Sequence, residues 1–374
     1  MPLFDDIQRT QCEPANLTED TFSFLNRSAS PEYESVREVL EDFFSRYPST
    51  ERPELKSKCR SQFDTAFFEL FIHELLLRLD CEVTVHPTLD GTASKPDFLA
   101  RFPSGEEVII EAAIATDLSD EERACNARLN TLYETINRNV NSPNFFLCLG
   151  PMYNPDAVPA PEKIWKFIKR KIADLNPDLV TKAVENRLPN ALPRWTYRHA
   201  NGFELEFCAI PKSPGTRDNP EIRPIGAFPG RARWGGGSSA LKKAIKSKAS
   251  KYELSGRPFV VAVNAISKWG DSRDDDVEAL FGTQESSVKP DAVWNHTKNT
   301  RLSGVLITKV SSWSIHCAPL CLYHNPFAKR PCLDLPWKIP QSIRHDSQMH
   351  WLEGRKSTEL FHLPENWLAG RICS

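Results

Sequence analysis

Two strand-forming segments that meet at a short turn constrain the fold of this chain more than any other feature of its sequence. Residues 95–102 (KPDFLARF) and 107–115 (EVIIEAAIA) flank residues 103–106 (PSGE), a turn sequence typical of a β-hairpin. In such a hairpin the start of one strand lies beside the end of the next, which predicts that Asp97 and Glu111 are neighbours. The chain is therefore expected to build a sheet in which two acidic side chains share one place.

The segments around this hairpin predict a mixed α/β core. Residues 59–79 are almost entirely apolar apart from a few acids and a histidine, which is typical of a helix buried on most of its circumference. Residues 81–86 alternate like a strand, residues 120–139 have helical spacing, and residues 144–149 are typical of a short buried strand. Taken with the hairpin, the predicted order is helix, three strands, helix, strand.

The rest of the chain predicts further structure around this core. An amphipathic helix over residues 30–47 precedes it, and a Pro-rich piece over residues 150–163 follows it. Beyond that piece, strand-like segments alternate with helices, and the stretch 238–252 is a lysine-rich helix. The expected division is an N-terminal helical extension (1–55), the core (56–150), and a second α/β lobe with the basic helix that completes or flanks the core (151–374).

Composition excludes several classes of protein. Of the 374 residues, 40% are hydrophobic and 26% are charged, as in globular proteins, and no apolar run approaches the ~20 residues that span a bilayer. The first twenty residues do not resemble a signal peptide, and ten scattered cysteines suit reduced thiols, so a cytoplasmic, non-membrane protein is expected. Because the net charge is −2, any site for a polyanion must be a local patch.

Two neighbouring carboxylates indicate a metal site. Paired acids repel each other unless a cation lies between them, and a hard cation such as Mg²⁺ or Mn²⁺ combines one or two protein carboxylates with waters and phosphate oxygens. Asp97 and Glu111 therefore suit a phosphodiester site, and Glu69 on the preceding apolar helix is a third acid that could extend it. Each acid taken alone is also typical of a turn or of a solvent-facing strand position.

Together these residues resemble the PD-(D/E)XK nuclease superfamily. The resemblance rests on Glu69 in FFELFIHELLLRL, on Pro96-Asp97 at the start of a strand, on Glu111 near the end of the next strand, and on the order of elements over residues 62–149. It implies a restriction-endonuclease-like fold, with Asp97 and Glu111 as ligands of Mg²⁺ or Mn²⁺ and Glu69 as a supporting catalytic acid. It also implies cleavage of nucleic-acid phosphodiesters, in a prokaryotic setting.

One position departs from the pattern of that superfamily. The motif lysine, two residues after the second acid, is replaced by Ala113 in the stretch Glu111-Ala112-Ala113. In the superfamily this lysine orients and helps to activate the attacking water. Catalysis in this chain would therefore need a lysine from elsewhere, and Lys95 and Lys248 are the candidates.

The positive charge of the second half is concentrated in one stretch. Lys243, Lys246 and Lys248 lie on the predicted basic helix, and Arg231 and Arg233 precede it beside a tryptophan. Such cations contact phosphates, while a tryptophan can stack on an unpaired base. These five cations are the predicted nucleic-acid contacts, with DNA favoured over RNA, although charge runs are also typical of solvated helix faces.

Two classes of function follow from these features. In the first, the chain is a metal-dependent nuclease whose three acids form the active site and whose basic stretch holds DNA or RNA. In the second, the nuclease fold is a catalytically inactive scaffold that binds nucleic acid, a protein partner or a second copy of itself, and Ala113 marks the loss of activity. Cleavage in the presence of a divalent cation separates the two classes.

Overall fold

The computed structural model describes residues 1–89, 95–116, 118–219, 222–228, 237–249, 256–266, 273–282, 292–345 and 348–368. Its α-helices are α1 Thr21–Arg27, α2 Pro31–Arg46, α3 Arg52–Ser61, α4 Phe63–Arg78, α5 Asp120–Asn139, α6 Pro161–Ile172, α7 Pro177–Glu185, α8 Gly237–Ala249, α9 Arg273–Phe281 and α10 Ser357–Phe361. Its strands are β1 Glu82–Val85, β2 Phe98–Arg101, β3 Glu107–Ala115, β4 Phe145–Tyr153, β5 Arg194–Arg198, β6 Glu204–Pro211, β7 Ile225–Ala227, β8 Phe259–Ala265, β9 Gly304–Thr308, β10 Leu320–His324, β11 Gln341–His345 and β12 Gln348–Leu352.

The chain divides into two compact units. Unit 1 consists of Met1–Cys12, Asp20–Asp117 and Trp234–Ser374, and unit 2 consists of Glu13–Glu19 and Leu118–Arg233. In the described part of the chain, no helix combines the length and the apolar character that crossing a membrane requires. The helices and mixed sheets of the two units confirm the predicted α/β class.

Unit 1 is built on an eight-stranded mixed sheet. Its strands lie in the order β1-β2-β3-β8-β9-β10-β11-β12. β2 pairs antiparallel with both β1 and β3, and β8 runs parallel to both β3 and β9. The predicted hairpin therefore forms, and β3 is an interior strand of the sheet.

The two faces of this sheet are buried in different hydrophobic clusters because side chains alternate along β3. Val108 and Ile110 belong to the cluster that contains α4, whereas Ile109 belongs to the cluster that contains Ile245 of α8. A strand that is buried on both faces needs apolar residues at nearly every position, which explains the run EVIIEAAIA. Glu111, two positions after Ile109, therefore lies on the α8 face.

α4 carries buried acids whose charges need partners. The helix is buried without interruption from Ala66 through Leu76. Within that stretch the Glu74 side chain has 0% exposure, and its Oε1 is 2.8 Å from the guanidinium of Arg46 and 2.7 Å from that of Arg78. Buried charges persist in proteins when they are paired in this way. The other acid of the stretch, Glu69, has partners of its own.

Unit 2 contains a four-stranded sheet in the order β5-β6-β4-β7. β4 pairs antiparallel with β6 and parallel with β7. α5 begins with a capping box, in which the side chains of Ser119 and Glu122 each accept a hydrogen bond from the backbone N–H of the other. Helices and sheet bury a core of their own, to which Leu132, Leu147 and Ile164 belong.

The helix and strand that were expected to complete the core lie in unit 2. Residues 120–139 form α5 and residues 144–149 fall within β4, and both elements bury their apolar faces in the core of that unit. The elements that follow β3 in unit 1 are α8, which packs on β3, and β8, which pairs with it. The prediction grouped α5 and β4 with the hairpin because they follow it in the chain, but a second unit is inserted between β3 and α8. The units change over at residues 117 and 233, whereas the boundaries expected from the sequence were 55 and 150.

Candidate active site

The hairpin places Asp97 opposite Glu111. β2 and β3 are antiparallel, and their register pairs Phe98 with Ile110, so the next residues outward along the two strands are the two acids. Oδ2 of Asp97 accepts a hydrogen bond from the backbone N–H of Ala112 at 2.7 Å, which ties the start of β2 to β3. The two carboxylates that the sequence predicted as neighbours therefore lie at one place on the sheet.

A lysine from α8 lies at these two carboxylates. Nζ of Lys248 is 2.5 Å from Oε2 of Glu111 and 3.8 Å from Oδ2 of Asp97. The Glu111 side chain is 1% exposed and that of Lys248 is 20% exposed, so the ammonium compensates a carboxylate that has lost its solvation. Of the two lysines proposed to replace the motif lysine, Lys248 is the one at the acids. Lys95 is exposed and does not line the adjoining pocket.

The sequence of α8 explains why this lysine points inward. Leu241, Ile245 and Ala249 form the buried stripe of the helix, with about one turn between successive members. Lys248 comes one residue before Ala249 and three after Ile245, which puts it at the edge of that stripe. Its aliphatic stem can therefore run along the buried face while the ammonium reaches the acids, whereas Lys243 is exposed.

Glu69 reaches the same pocket from α4, and three side chains lie around its carboxylate. The Tyr47 hydroxyl donates a hydrogen bond to Oε1 of Glu69 at 2.6 Å. Nζ of Lys58 is 3.6 Å from Oε2, and Nε2 of His86 is 3.7 Å from Oε1. Burial raises the pKa of the Tyr47 hydroxyl and the Glu69 carboxylate raises it further, so Tyr47 is a hydrogen-bond donor at neutral pH. The hydroxyl of Tyr47 and the ammonium of Lys58 thus explain how Glu69 can be buried on an apolar helix.

These side chains surround a concave pocket of about 150 Å³ in unit 1. Two lysines and two acids line it, together with polar and apolar residues: Lys58, Gln62, Thr65, Phe68, Glu69, Asp97, Ala112, Ala113, Ile114 and Lys248. Glu111 is not part of the lining because its carboxylate is buried against Lys248. The wall includes the methyl group of Ala113.

The donors at this pocket suit a divalent cation that takes few protein ligands. Asp97, Glu111 and Lys248 together carry one excess negative charge, and Mg²⁺ uses one or two protein carboxylates while keeping several waters. Within the described ranges, no group of three or more His, Cys, Asp or Glu side chains converges to hold an ion. Glu69 is held instead by Tyr47 and Lys58, so the carboxylates that could bind a metal here are the other two.

The predicted nucleic-acid contacts fall into three groups. Arg231 and Arg233 lie outside the described residues. Lys243 and Lys246 are exposed on α8, as a contact with phosphate requires. Lys248, which the sequence grouped with them, differs because its ammonium is at Glu111. The basic helix thus combines one lysine of the pocket with lysines on its outer surface.

Three residues around Glu69 have no distinctive signal in the sequence. Lys58 lines the pocket from α3, while Tyr47 follows the last residue of α2 and His86 follows the last residue of β1. A single residue just beyond an element, or one lysine within a mostly exposed helix, carries no periodicity that could mark it. The signal that could have led to them is Glu69 itself, because an acid within a buried helix requires donors around it.

No model of a known protein family matches the sequence, and no curated protein or solved structure matches the chain. No relative therefore assigns a role to any residue of the pocket. What the protein does has to be inferred from the residues themselves.

Proposed function

We propose that the chain is a Mg²⁺- or Mn²⁺-dependent nuclease of the PD-(D/E)XK kind that cleaves phosphodiester bonds of DNA or RNA at the pocket of unit 1. The order of elements supports this proposal. When residues 118–233 are set aside, the chain runs α4, β1, β2, β3, α8, β8, which is the helix, three strands, helix, strand order of that superfamily. All six elements belong to unit 1, and their four strands are neighbours in its sheet.

The observation that carries the proposal is the position of Lys248. The superfamily needs a lysine beside its two acids, and the sequence has alanine at that position of the motif. Nζ of Lys248 lies 2.5 Å from Glu111 and 3.8 Å from Asp97, so α8 supplies an ammonium where the motif lysine is missing. A lysine that only stabilised the fold would not need to lie at both acids and line an open pocket.

The charged side chains that line the pocket, and Glu111 behind Lys248, each have a role in this reaction. Asp97 and Glu111 would hold the metal ion, which would supply Lewis-acid activation of the phosphate and of water. Lys248 carries a fixed charge and three N–H donors, so it can orient the attacking water and stabilise charge that develops on phosphate. Lys58, which Glu69 positions from the opposite wall, can contact a neighbouring phosphate.

One observation favours a second candidate, the catalytically inactive scaffold. Glu111 is nearly fully buried and is paired with Lys248, so the pair is electrostatically satisfied without any metal. A scaffold of this kind would bind nucleic acid, a protein partner or a second copy of the chain through other surfaces. Both candidates share the fold, and they differ in whether the pocket turns over a substrate.

A cleavage assay with matched variants separates them. The protein is incubated with Mg²⁺ or Mn²⁺ and with single- and double-stranded DNA and RNA. Asp97→Asn and Lys248→Met are each expected to lower the rate by at least about a hundredfold, the range of a lost acid–base or electrostatic group. Lys298→Met, an exposed lysine of unit 1, is the control and should leave the rate unchanged. Undiminished cleavage in Asp97→Asn would exclude this pocket, and failure of every substrate and metal would favour the scaffold.

A further inference from the structure

Unit 2 presents a second concentration of positive charge, on α6. The helix PEKIWKFIKRKI contains five Lys and Arg residues and one acid, Glu162, which pairs with Lys166. Lys163, Lys166, Lys169 and Arg170 are all exposed. None of these residues belongs to the pocket of unit 1, and the proposed cleavage chemistry does not use them.

Three of the four exposed cations lie along one side of the helix. Ile164, Ile168 and Ile172 form the buried stripe, with exposures of 0%, 0% and 7%. At 100° per residue, Lys163, Lys166 and Arg170 lie on the side opposite to that stripe. From the first to the last of the three, the helix rises about 10 Å, which is close to the axial rise of three base-pair steps of about 3.4 Å in a duplex.

The packing of α6 fixes which side of the helix faces away from the core of unit 2. The Phe167 ring is 5.4 Å from the Tyr197 ring of β5 and 6.1 Å from the Phe207 ring of β6, in edge-to-face contacts that anchor the helix to the sheet. The Arg170 guanidinium lies 5.7 Å from the centre of the Phe167 ring, which restrains it further. A charged surface that is already ordered loses less entropy when it binds a ligand.

The same packing favours nucleic acid over a membrane surface as the partner. A basic amphipathic helix binds a bilayer by inserting its apolar side among the lipids. The apolar side of α6 is occupied by the core of unit 2, so only its cations are available, and these match a ligand with regularly spaced negative charges. Nucleic acid is such a ligand, and this choice also agrees with the proposed function, on which the inference rests for its biological context.

We propose that the face of α6 formed by Lys163, Lys166 and Arg170 binds the phosphate backbone of nucleic acid. Binding there is independent of base sequence, because contacts with phosphates carry no sequence information. It also requires no divalent metal, because it does not involve the pocket acids. This face would give unit 2 an affinity of its own for nucleic acid.

The test measures binding of the full chain to a short fluorescein-labelled DNA duplex by anisotropy, in EDTA and over a series of salt concentrations. The variant Lys163→Gln/Lys166→Gln/Arg170→Gln is compared with Arg138→Gln/Lys182→Gln/Arg187→Gln, which removes three exposed cations from elsewhere in unit 2. Each lost phosphate contact lowers the affinity by about eightfold at 0.1 M salt, as the exponent of about 0.9 per contact requires. We expect the α6 variant to bind at least tenfold more weakly with a shallower salt dependence, and the control variant to bind within twofold of the original chain.

Several results would overturn the inference. They are an α6 variant with unchanged affinity and salt dependence, an equal loss in the control variant, and a wild-type chain that binds phosphatidylserine vesicles but not DNA. Because EDTA prevents metal-dependent cleavage, a failure of the nuclease proposal leaves this measurement unaffected. Conversely, metal-dependent cleavage that persists in the α6 variant with unaltered DNA affinity would overturn only the role of α6.

Discussion

Replacing Lys248 with methionine tests whether its ammonium is what allows Glu111 to be buried as a carboxylate. The variant keeps the aliphatic stem but leaves Glu111, which is 1% exposed, beside Asp97 without the lysine. Removal of one partner from a buried ion pair costs about 3–5 kcal/mol. Because the Lys248 side chain is 20% exposed and water in the pocket can solvate part of the charge, we expect a loss of about 2–4 kcal/mol in the free energy of unfolding.

The matched partner variant is Glu111→Gln. It leaves Lys248 close to Asp97, at 3.8 Å, so it should destabilise unit 1 by less than Lys248→Met does. In the double variant neither charge remains. Its loss of unfolding free energy should be smaller than the sum of the two single-variant losses by about 1–3 kcal/mol. Urea unfolding followed by tryptophan fluorescence provides the assay, since Trp294 and Trp337 are both buried in this unit. A double-variant loss that equals the sum of the two single-variant losses to within about 0.5 kcal/mol would refute the pairing.

Metal linkage extends the same experiment to the proposed function. A ligand that binds only the folded chain stabilises it by about 1.4 kcal/mol at ten times its dissociation constant. Addition of Mg²⁺ or Mn²⁺ should therefore raise the unfolding free energy of the wild type, but not that of Glu111→Gln or Asp97→Asn. Equal stabilisation of all three chains would place the bound metal elsewhere.

Two further predictions concern α4. His73 is 2% exposed, and burial together with the Arg46 charge lowers its pKa from 6.5 to about 4. As the pH falls, the unfolded chain takes up this proton first, so the stability that His73 contributes is complete above pH 6.5 and declines by about 3 kcal/mol towards pH 4. His73→Phe should make the unfolding free energy depend less on pH in this window. An unaltered dependence would contradict the lowered pKa of His73. Tyr47→Phe removes the hydroxyl that donates to Glu69 at 2.6 Å and should lower the unfolding free energy by about 1.5–3 kcal/mol in the same urea assay. The control Tyr33→Phe should lower it by less than about 0.5 kcal/mol. Equal losses in the two variants would show that the hydrogen bond to Glu69 does not stabilise the fold.

The local parts of the site could be predicted from the sequence, and the long-range part could not. The pairing of Asp97 with Glu111 follows from a turn sequence and from the two-residue period of strands, both of which are read within twenty residues. The contact of Lys248 with Glu111 spans 137 residues, and no pattern in either segment points to the other. Lys248 could be named as a candidate only because the motif lacked a lysine.

The sequence could not show that α5 and β4 belong to a different unit from β3, for a related reason. α5 and β4 directly follow β3 in the chain and have the pattern of a helix and a strand, so they satisfied the expected order as well as α8 and β8 do. Periodicity shows that an element has an apolar face, but it does not show which core that face joins. Elements that are consecutive in the chain are usually neighbours in space, and an inserted unit is the case in which that rule fails.

Under the proposed function, the alternation of β3 explains how a lysine from α8 would serve in place of one from the strand. Residue 113 is two positions after Glu111 and so faces the same side of the sheet. Ala113 packs with the cluster that contains α8, whereas its neighbour Ala112 packs with the cluster that contains α4. A lysine at position 113 and a lysine on α8 therefore approach Glu111 from the same side, and the methyl group of Ala113 leaves space there for the side chain of Lys248.

Moving the lysine back to the strand consequently tests the mechanism by gain of function. Lys248→Ala should lower the rate of metal-dependent cleavage by at least about a hundredfold. Adding Ala113→Lys to this variant should raise the rate again by at least about tenfold, because it returns an ammonium to Glu111. The matched control, Ala112→Lys with Lys248→Ala, adds the same charge on the other face and should restore nothing. Equal recovery in both chains would show that any added positive charge near the pocket suffices. No recovery in a folded, metal-binding Ala113→Lys chain would mean that Lys248 does not act as the missing motif lysine.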